Sequence, residues 1–192
     1  MVARRDPAMA SLIKRAGPVE LREPLENGFA ALVRSIMYQQ LAGAAAATIH
    51  GRFLKLLGAP LSPETVLALP AGAMRSAGVS GSKAAAIQDL AQKVSDGSLQ
   101  LHDVDALSDD DLVTRLVQVR GIGRWTAEMF LIFQLRRLDV WPADDYGVRK
   151  GWALTHKLKE PLAPRAMQAE GDRFRPYRSL AAWYCWRAID TP

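Results

Sequence analysis

One cysteine in 192 residues, Cys185, rules out an intramolecular disulfide, a four-cysteine zinc site and a cysteine-held iron–sulfur cluster. The three histidines, His50, His102 and His156, have no metal-ligand spacing. No apolar run is long enough to span a membrane and no signal peptide is visible, so an intracellular protein is expected. Strand signals are scarce: no two alternating apolar runs are joined by hairpin-turn chemistry. The sequence also lacks internal repeats, low-complexity tracts and long linkers.

What is present fits a globular chain. Hydrophobic residues make up 49% and charged residues 23%, enough apolar material to bury a real core. The net charge of +5 permits a polyanionic partner without demanding one. Its distribution says more. Between Asp89 and Arg115 there are seven acidic and two basic residues, whereas from Arg136 onward there are eleven Lys or Arg against seven Asp or Glu. One face could meet phosphates while another stays in solvent.

Helix signals run the length of the chain. Asp6 and Pro7 open a short helix that Gly17-Pro18 ends. Phe29, Leu32, Val33, Ile36 and Met37 repeat at helical spacing, and the pattern extends to Leu57 with a break at the QQLAG stretch near Gln39–Gly43. Ser62-Pro63-Glu64 starts another helix and Pro70 stops it. Further helices are expected over Ser82–Val94, Asp109–Val117 (capped by Ser108), Trp125–Leu135, Gly147–Thr155, from Pro164, and over Tyr177–Ile189. The fold class is all-α.

The segment LVTRLVQVRGIGRWTAEMF, Leu112 to Phe130, carries the first chemical signal. A GxG alone could open a dinucleotide-binding unit. Here the preceding residues repeat at four, as in a helix, and Thr126 stands where the third glycine would be. A helix, a tight Gly121-Ile122-Gly123 hairpin and a second helix fit better. Glycines allow close backbone approach, and N–H groups at the second helix start can hold a phosphate oxygen. Such a contact grips a nucleic-acid backbone without reading sequence. An ordinary helix–helix turn is the plainer alternative.

GIGRWTAEMF followed by WPADDYGVRKG resembles the helix-hairpin-helix DNA glycosylases, specifically the DNA-3-methyladenine glycosylase II family. SIMYQQLAGAAAATI (Ser35–Ile49), RPYRSLAAWYCW (Arg175–Trp186) and the opening RDPAMASLIKRAGP extend the similarity over nearly the whole chain. It implies two helical lobes with the active-site cleft between them: residues 25–135 as the central lobe with the hairpin, and residues 1–24 plus 136–192 as the second. Too few residues precede Leu25 for the N-terminal β domain of some relatives.

The resemblance places the catalytic carboxylate on Asp145, the second of the Asp144-Asp145 pair. Adjacent side chains at a helix start cannot both face one site, so Asp144 is expected to cap the helix beginning near Tyr146. A lone anion suits the chemistry. A base alkylated at a ring nitrogen is cationic and leaves readily, and the sugar that becomes oxocarbenium-like is what needs stabilising. Trp125 and Trp186 match the family's base-pocket positions, and Tyr38 lies close enough in sequence to the wedge to line that pocket too. Electron-rich rings stack well on a flipped cationic base, although core packing is the commoner role of a tryptophan. Met129 stands where some relatives carry an aromatic ring. Gln40 and Leu41 are both candidates for the side chain that fills the gap left by the flipped nucleotide. Gly121, Gly123, Arg124 and Thr126 are the expected phosphate contacts. The family's hairpins also bind a structural Na+ or K+, here through the carbonyls of Val117, Val119 and Ile122. No cofactor is expected for catalysis.

The expected protein is therefore a monofunctional glycosylase that excises 3-methyladenine- and 7-methylguanine-type bases from double-stranded DNA in base excision repair. A monomer is expected, cytoplasmic or, in a bacterium, nucleoid-associated. Trp125 stands where a bifunctional relative carries its lysine nucleophile. The competing reading is a helix-hairpin-helix DNA-binding module without catalysis, which would need no carboxylate at Asp145.

Overall fold

The computed structural model describes residues 1–21, 23–102 and 104–191. Among them the only regular elements are helices; no strand occurs. No helix of the described residues is long and apolar enough to cross a membrane. The chain forms two compact units, Pro24–Phe130 and Met1–Glu23 together with Leu131–Pro192. The sequence boundary after residue 135 lies past the helix Arg124–Phe133, whereas the observed division falls inside it. The helix end from Leu131 is closed by the Arg137 amide, which donates to the Leu131 carbonyl at 2.9 Å.

The unit Pro24–Phe130 begins with α2 (Gly28–Tyr38) and α3 (Gly43–Leu57), which follow α1 (Pro7–Ala16) of the other unit in the chain. Asn27 caps α2 by accepting from the Ala30 amide at 2.9 Å. The break expected at QQLAG is there: α2 ends at Tyr38, and Gln40 takes a left-handed φ of 55° before α3 begins. α4 (Pro63–Leu67) starts with a capping box between Ser62 and Thr65. The four-residue α5 (Ala73–Ser76) was not legible in the periodicity, because one turn shows no repeat. α6 (Gly81–Ser95) packs against α2 and α4 and buries Ala86, Ile87, Leu90 and Ala91. α7 (Asp109–Leu116) carries Asp109, Asp110 and Asp111 in its first turn, where its dipole favours negative charge, and Ser108 accepts from the Asp111 amide at 3.1 Å. α8 (Arg124–Phe133) completes the hairpin pair.

The other unit contains α1 (Pro7–Ala16), α9 (Tyr146–Thr155), α10 (Pro164–Gly171) and α11 (Arg178–Asp190). Its core gathers Met9, Leu12, Trp141, Val148, Trp152, Met167, Phe174 and Cys185. α9 and α11 approach so closely at Gly151 that a Cβ there would lie 1.7 Å from the Cys185 carbonyl oxygen. Only glycine fits that crossing. Its consequence is that α9 and α11 hold the side chains they share in fixed register, including Asp145 before α9 and Trp186 on α11.

Candidate active site

The hairpin between α7 and α8 is built as the sequence suggests. Val119 and Ile122 are buried and anchor it, while Gly121, Gly123 and Arg124 face solvent. Gly121 has φ 76°, a region that disfavours other residues, and a Cβ there would stand 3.1 Å from the Ala86 side chain. Gly123 differs: its φ is not left-handed and a Cβ would meet nothing within 4 Å. Arg124 is exposed and pairs with Glu128 at 2.9 Å. Thr126 is buried, and its hydroxyl accepts from the Gln39 amide at 3.3 Å, so that hydroxyl is turned toward the loop after α2.

α6 holds the hairpin from behind. The Arg120 amide donates to Asp89 at 2.8 Å, and Lys93 pairs with the same carboxylate at 2.6 Å. Burial works to raise the Asp89 pKa, but the Lys93 and Arg120 hydrogen bonds outweigh it and hold the carboxyl below its ordinary value.

The loop after α2 carries both wedge candidates, Gln40 and Leu41, and both are exposed. Lys83, in the first turn of α6, donates to the carbonyls of Met37 at 2.7 Å and Gln39 at 2.8 Å. It thereby satisfies carbonyls that the helix end leaves without partners. Burial lowers its pKa. The Gln39 side-chain amide donates to the Gly121 carbonyl at 3.0 Å and to the Thr126 hydroxyl at 3.3 Å.

Beside this loop lies a pocket of about 480 Å³ lined by Arg34, Ser35, Tyr38, Gln39, Gln40, Trp125, Thr126 and Met129. Its volume is in the range that holds small planar ligands. The structure thus brings together two of the three expected pocket aromatics, Tyr38 and Trp125, with Gln40 at the same wall. Trp125 is 48% exposed, unusual for a tryptophan with only a packing role. Arg34 adds a cation 6.0 Å from the Tyr38 ring and pairs with Glu26 at 3.2 Å.

Trp186 is placed with Asp145. Its indole N–H donates to Asp145 Oδ1 at 2.9 Å, and Phe133 packs against its ring at 5.5 Å between centroids. The same Asp145 oxygen accepts from the Val148 amide at 2.7 Å. Asp145 is therefore the cap of α9, which corrects the expectation that Asp144 would be. A cap is the residue immediately before the first helical one, and with α9 starting at Tyr146 that position is 145. Asp144 is exposed. One carboxylate both starts the helix and is oriented by an indole.

Residues that sequence reasoning missed support those it found. Gly147 sits where a Cβ would stand 2.8 Å from the Trp186 ring and 3.0 Å from Asp145 Oδ1, so a glycine here lets ring and carboxylate meet. A glycine in a helix's first turn was the available signal. Lys83 and Asp89 gave none, because the bonds by which they hold the loop and the hairpin span 31 or more positions of sequence.

The HhH-GPD family model, described as HhH-GPD superfamily base excision DNA repair protein, matches residues 33–176. DNA-3-methyladenine glycosylase 1 of Schizosaccharomyces pombe is 35% identical over 172 residues, covering 88% of this chain and 74% of that protein. The structure of DNA-3-methyladenine glycosidase from Bacillus halodurans is similar with a TM-score of 0.91 at 34% identity, over 97% of this chain and 86% of that one. The Schizosaccharomyces pombe 3-methyladenine DNA glycosylase Mag1, in complex with abasic DNA, gives a TM-score of 0.82 at 32% identity, over 95% of this chain and 91% of that one.

Proposed function

The chain belongs to the HhH-GPD superfamily of base excision DNA repair proteins and is a DNA glycosylase, and from that premise we propose that it excises alkylated purines by simple hydrolysis, with Asp145 as the catalytic carboxylate. The observation that carries this assignment is the Asp145–Trp186 pair, a carboxylate held in one orientation by an indole N–H and a helix amide.

In the proposed reaction the damaged nucleotide leaves the stack, at a cost of about a few kcal/mol that is least for damaged pairs. Tyr38, Trp125 and Trp186 serve as the aromatic surfaces for the base, and Gln40 or Leu41 fills the gap in the duplex. The bond between C1′ and the base nitrogen breaks with both electrons going to the base, which turns a cationic alkylpurine into a neutral leaving group. The positive charge passes to the sugar, where the fixed Asp145 anion stabilises it. Water adds at C1′ and loses its proton to solvent, leaving an abasic site. With Trp125 in the hairpin position of a lysine nucleophile, no Schiff base forms and the strand stays intact.

The Gly121–Arg124 turn is proposed to hold a phosphate through main-chain amides. The Val119 carbonyl accepts from the Ile122 amide at 3.0 Å and, having a second lone pair, can also face a cation. A monovalent ion held by the carbonyls of Val117, Val119 and Ile122 would bring positive charge to the phosphate grip. The active form is proposed to be a monomer.

Base release from methylated duplex DNA tests the reading. Free 3-methyladenine or 7-methylguanine and an uncleaved abasic strand are expected. Release of no base, or efficient borohydride trapping of a protein–DNA adduct, overturns it.

A further inference from the structure

We propose that Gln39 is a positioning residue that ties the wedge loop to the phosphate-gripping hairpin, so that both press on the duplex as one body. The inference rests on the glycosylase reading above and adds a route by which grip becomes base flipping.

Gln39 is the residue that follows α2, and the next residue, Gln40, is held at a left-handed φ of 55° that a non-glycine side chain rarely adopts. A loop in that conformation needs outside support. Lys83 supplies it from one side through the Met37 and Gln39 carbonyls, at 2.7 and 2.8 Å. The Gln39 amide supplies it from the other, donating to the Gly121 carbonyl at 3.0 Å and the Thr126 hydroxyl at 3.3 Å. Gly121 is the left-handed glycine of the hairpin, and Thr126 lies in the first turn of α8.

The two supports converge on α6. Lys83 in its first turn holds the wedge loop, while Ala86 and Asp89 further along meet the hairpin at Gly121 and at the Arg120 amide. α6 is therefore a bar that carries both tools, and Gln39 is the cross-tie between them. The arrangement has a mechanical use. A wedge entering a stacked duplex is pushed back unless the protein is anchored to the backbone, and phosphate contacts provide that anchor. The tie also explains why an amide stands at position 39. Its N–H donates to a carbonyl, which a carboxylate of the same shape cannot do.

The test uses the full chain and the variants Gln39→Glu, Gln39→Met and Lys83→Met, each checked for folding by its melting curve. Three quantities are read: affinity for undamaged duplex, fluorescence of 2-aminopurine beside a lesion as a report of unstacking, and single-turnover excision from paired and from unpaired 7-methylguanine. The expected pattern is undamaged-duplex affinity near the parent's. The unstacking signal and excision from paired DNA should fall about tenfold, as for a lost hydrogen bond in a partly buried site. Excision from the unpaired lesion falls much less, because no flipping is needed, and since Gln39 also lines the pocket the readout is the ratio of the paired to the unpaired rate. Parent-like excision from paired DNA in both Gln39 variants overturns the tie, and so does an equal loss on both substrates. Lys83→Met, which loosens the loop from the opposite side, should reproduce the pattern if either Gln39 variant fails to fold. A parent that releases no base refutes the glycosylase reading instead, and the 2-aminopurine signal then still decides whether Gln39 couples hairpin to loop.

Discussion

α8 and α9 are successive helices whose starts are built in opposite ways. α8 follows Gly123, whose carbonyl accepts the first helical bond from Ala127 at 3.0 Å but which has no side chain to cap with. α9 follows Asp145, whose carboxylate caps the helix from within. A helix start attracts negative charge through its unshared N–H groups and its dipole. Where the sequence supplies glycine, the anion is to come from outside, and a phosphate fits. Where it supplies aspartate, the anion is part of the protein and can serve chemistry. On the proposed reading the same physics gives a grip in one place and a fixed charge in the other, and one residue type decides which.

The largest expected effect comes from removing charge at the second start while leaving its geometry. Asn caps as well as Asp, so Asp145→Asn keeps the Val148 bond and the fold. It loses the anion proposed to stand beside the sugar, a contribution of about 3–4 kcal/mol of barrier, roughly a hundredfold or more in rate. Single-turnover excision should show that loss with duplex affinity retained, most sharply for a neutral lesion such as hypoxanthine, a poorer leaving group. Parent-like rates for neutral and cationic lesions alike would take Asp145 out of the mechanism.

Making the first start resemble the second should have the next largest effect. A Cβ at Gly123 would meet nothing within 4 Å and the position requires no left-handed backbone, so the chain should tolerate Gly123→Asp. The new carboxylate occupies the helix start and repels phosphate. Loss of one charge-assisted contact costs about 1.5–3 kcal/mol, so damaged and undamaged duplex should both bind about tenfold or more weakly. The salt dependence should fall by about one phosphate. Gly121 is different in kind, because a side chain there is strained by φ 76° and crowds Ala86. A Gly121 variant should lose melting temperature as well as affinity. If Gly123→Asp binds as the parent does, α8's start is only a connector.

These contrasts also mark what was legible beforehand. Caps and breakers are local, so Asp6-Pro7, Ser62-Pro63, Ser108 and the QQLAG break could be read directly, and the hairpin glycines stood out for the same reason. The Asp144–Asp145 division could not be settled by pattern, since one residue of shift at a helix start exchanges cap and neighbour. Cross-chain partners were invisible: Lys83 on the loop carbonyls and Asp89 on the Arg120 amide depend on how α6 packs, which no local spacing encodes. Gly151 carries no local signal of its own, although the α9–α11 crossing requires it.

A third capping aspartate sharpens the comparison from the structural side. Asp6 accepts from the Met9 amide at 3.0 Å, but its second oxygen meets His156 at 2.9 Å and Arg173 at 3.3 Å, and it is buried. Burial works to raise its pKa, yet the His156 hydrogen bond and the Met9 amide prevail and lower it. A carboxyl with a depressed folded pKa stabilises fully above its unfolded value, near pH 4, and that stability is lost as pH falls through the folded value. Melting temperature should therefore decline below about pH 4 more steeply in the parent than in Asp6→Asn, which caps without titrating. Parallel curves would mean that the Asp6 cluster adds nothing dependent on charge.

The smallest effect is expected one residue from the largest. Asp144 is exposed and precedes the cap position without occupying it. Its carboxylate is thus removed from both roles that the adjacent Asp145 combines. Asp144→Asn should leave excision at the parent rate and stability within about 0.5 kcal/mol, the usual range for a surface substitution away from caps and buried pairs. Read beside Asp145→Asn, it separates position from charge: each substitution removes one negative charge from the same turn, so a general electrostatic role for the turn would make both variants slow. Parent-like Asp144→Asn and slow Asp145→Asn would assign the effect to the carboxylate that Trp186 orients. A loss of about 1 kcal/mol or more of stability in Asp144→Asn would instead show that the helix start uses both aspartates, since that is what a missing cap costs.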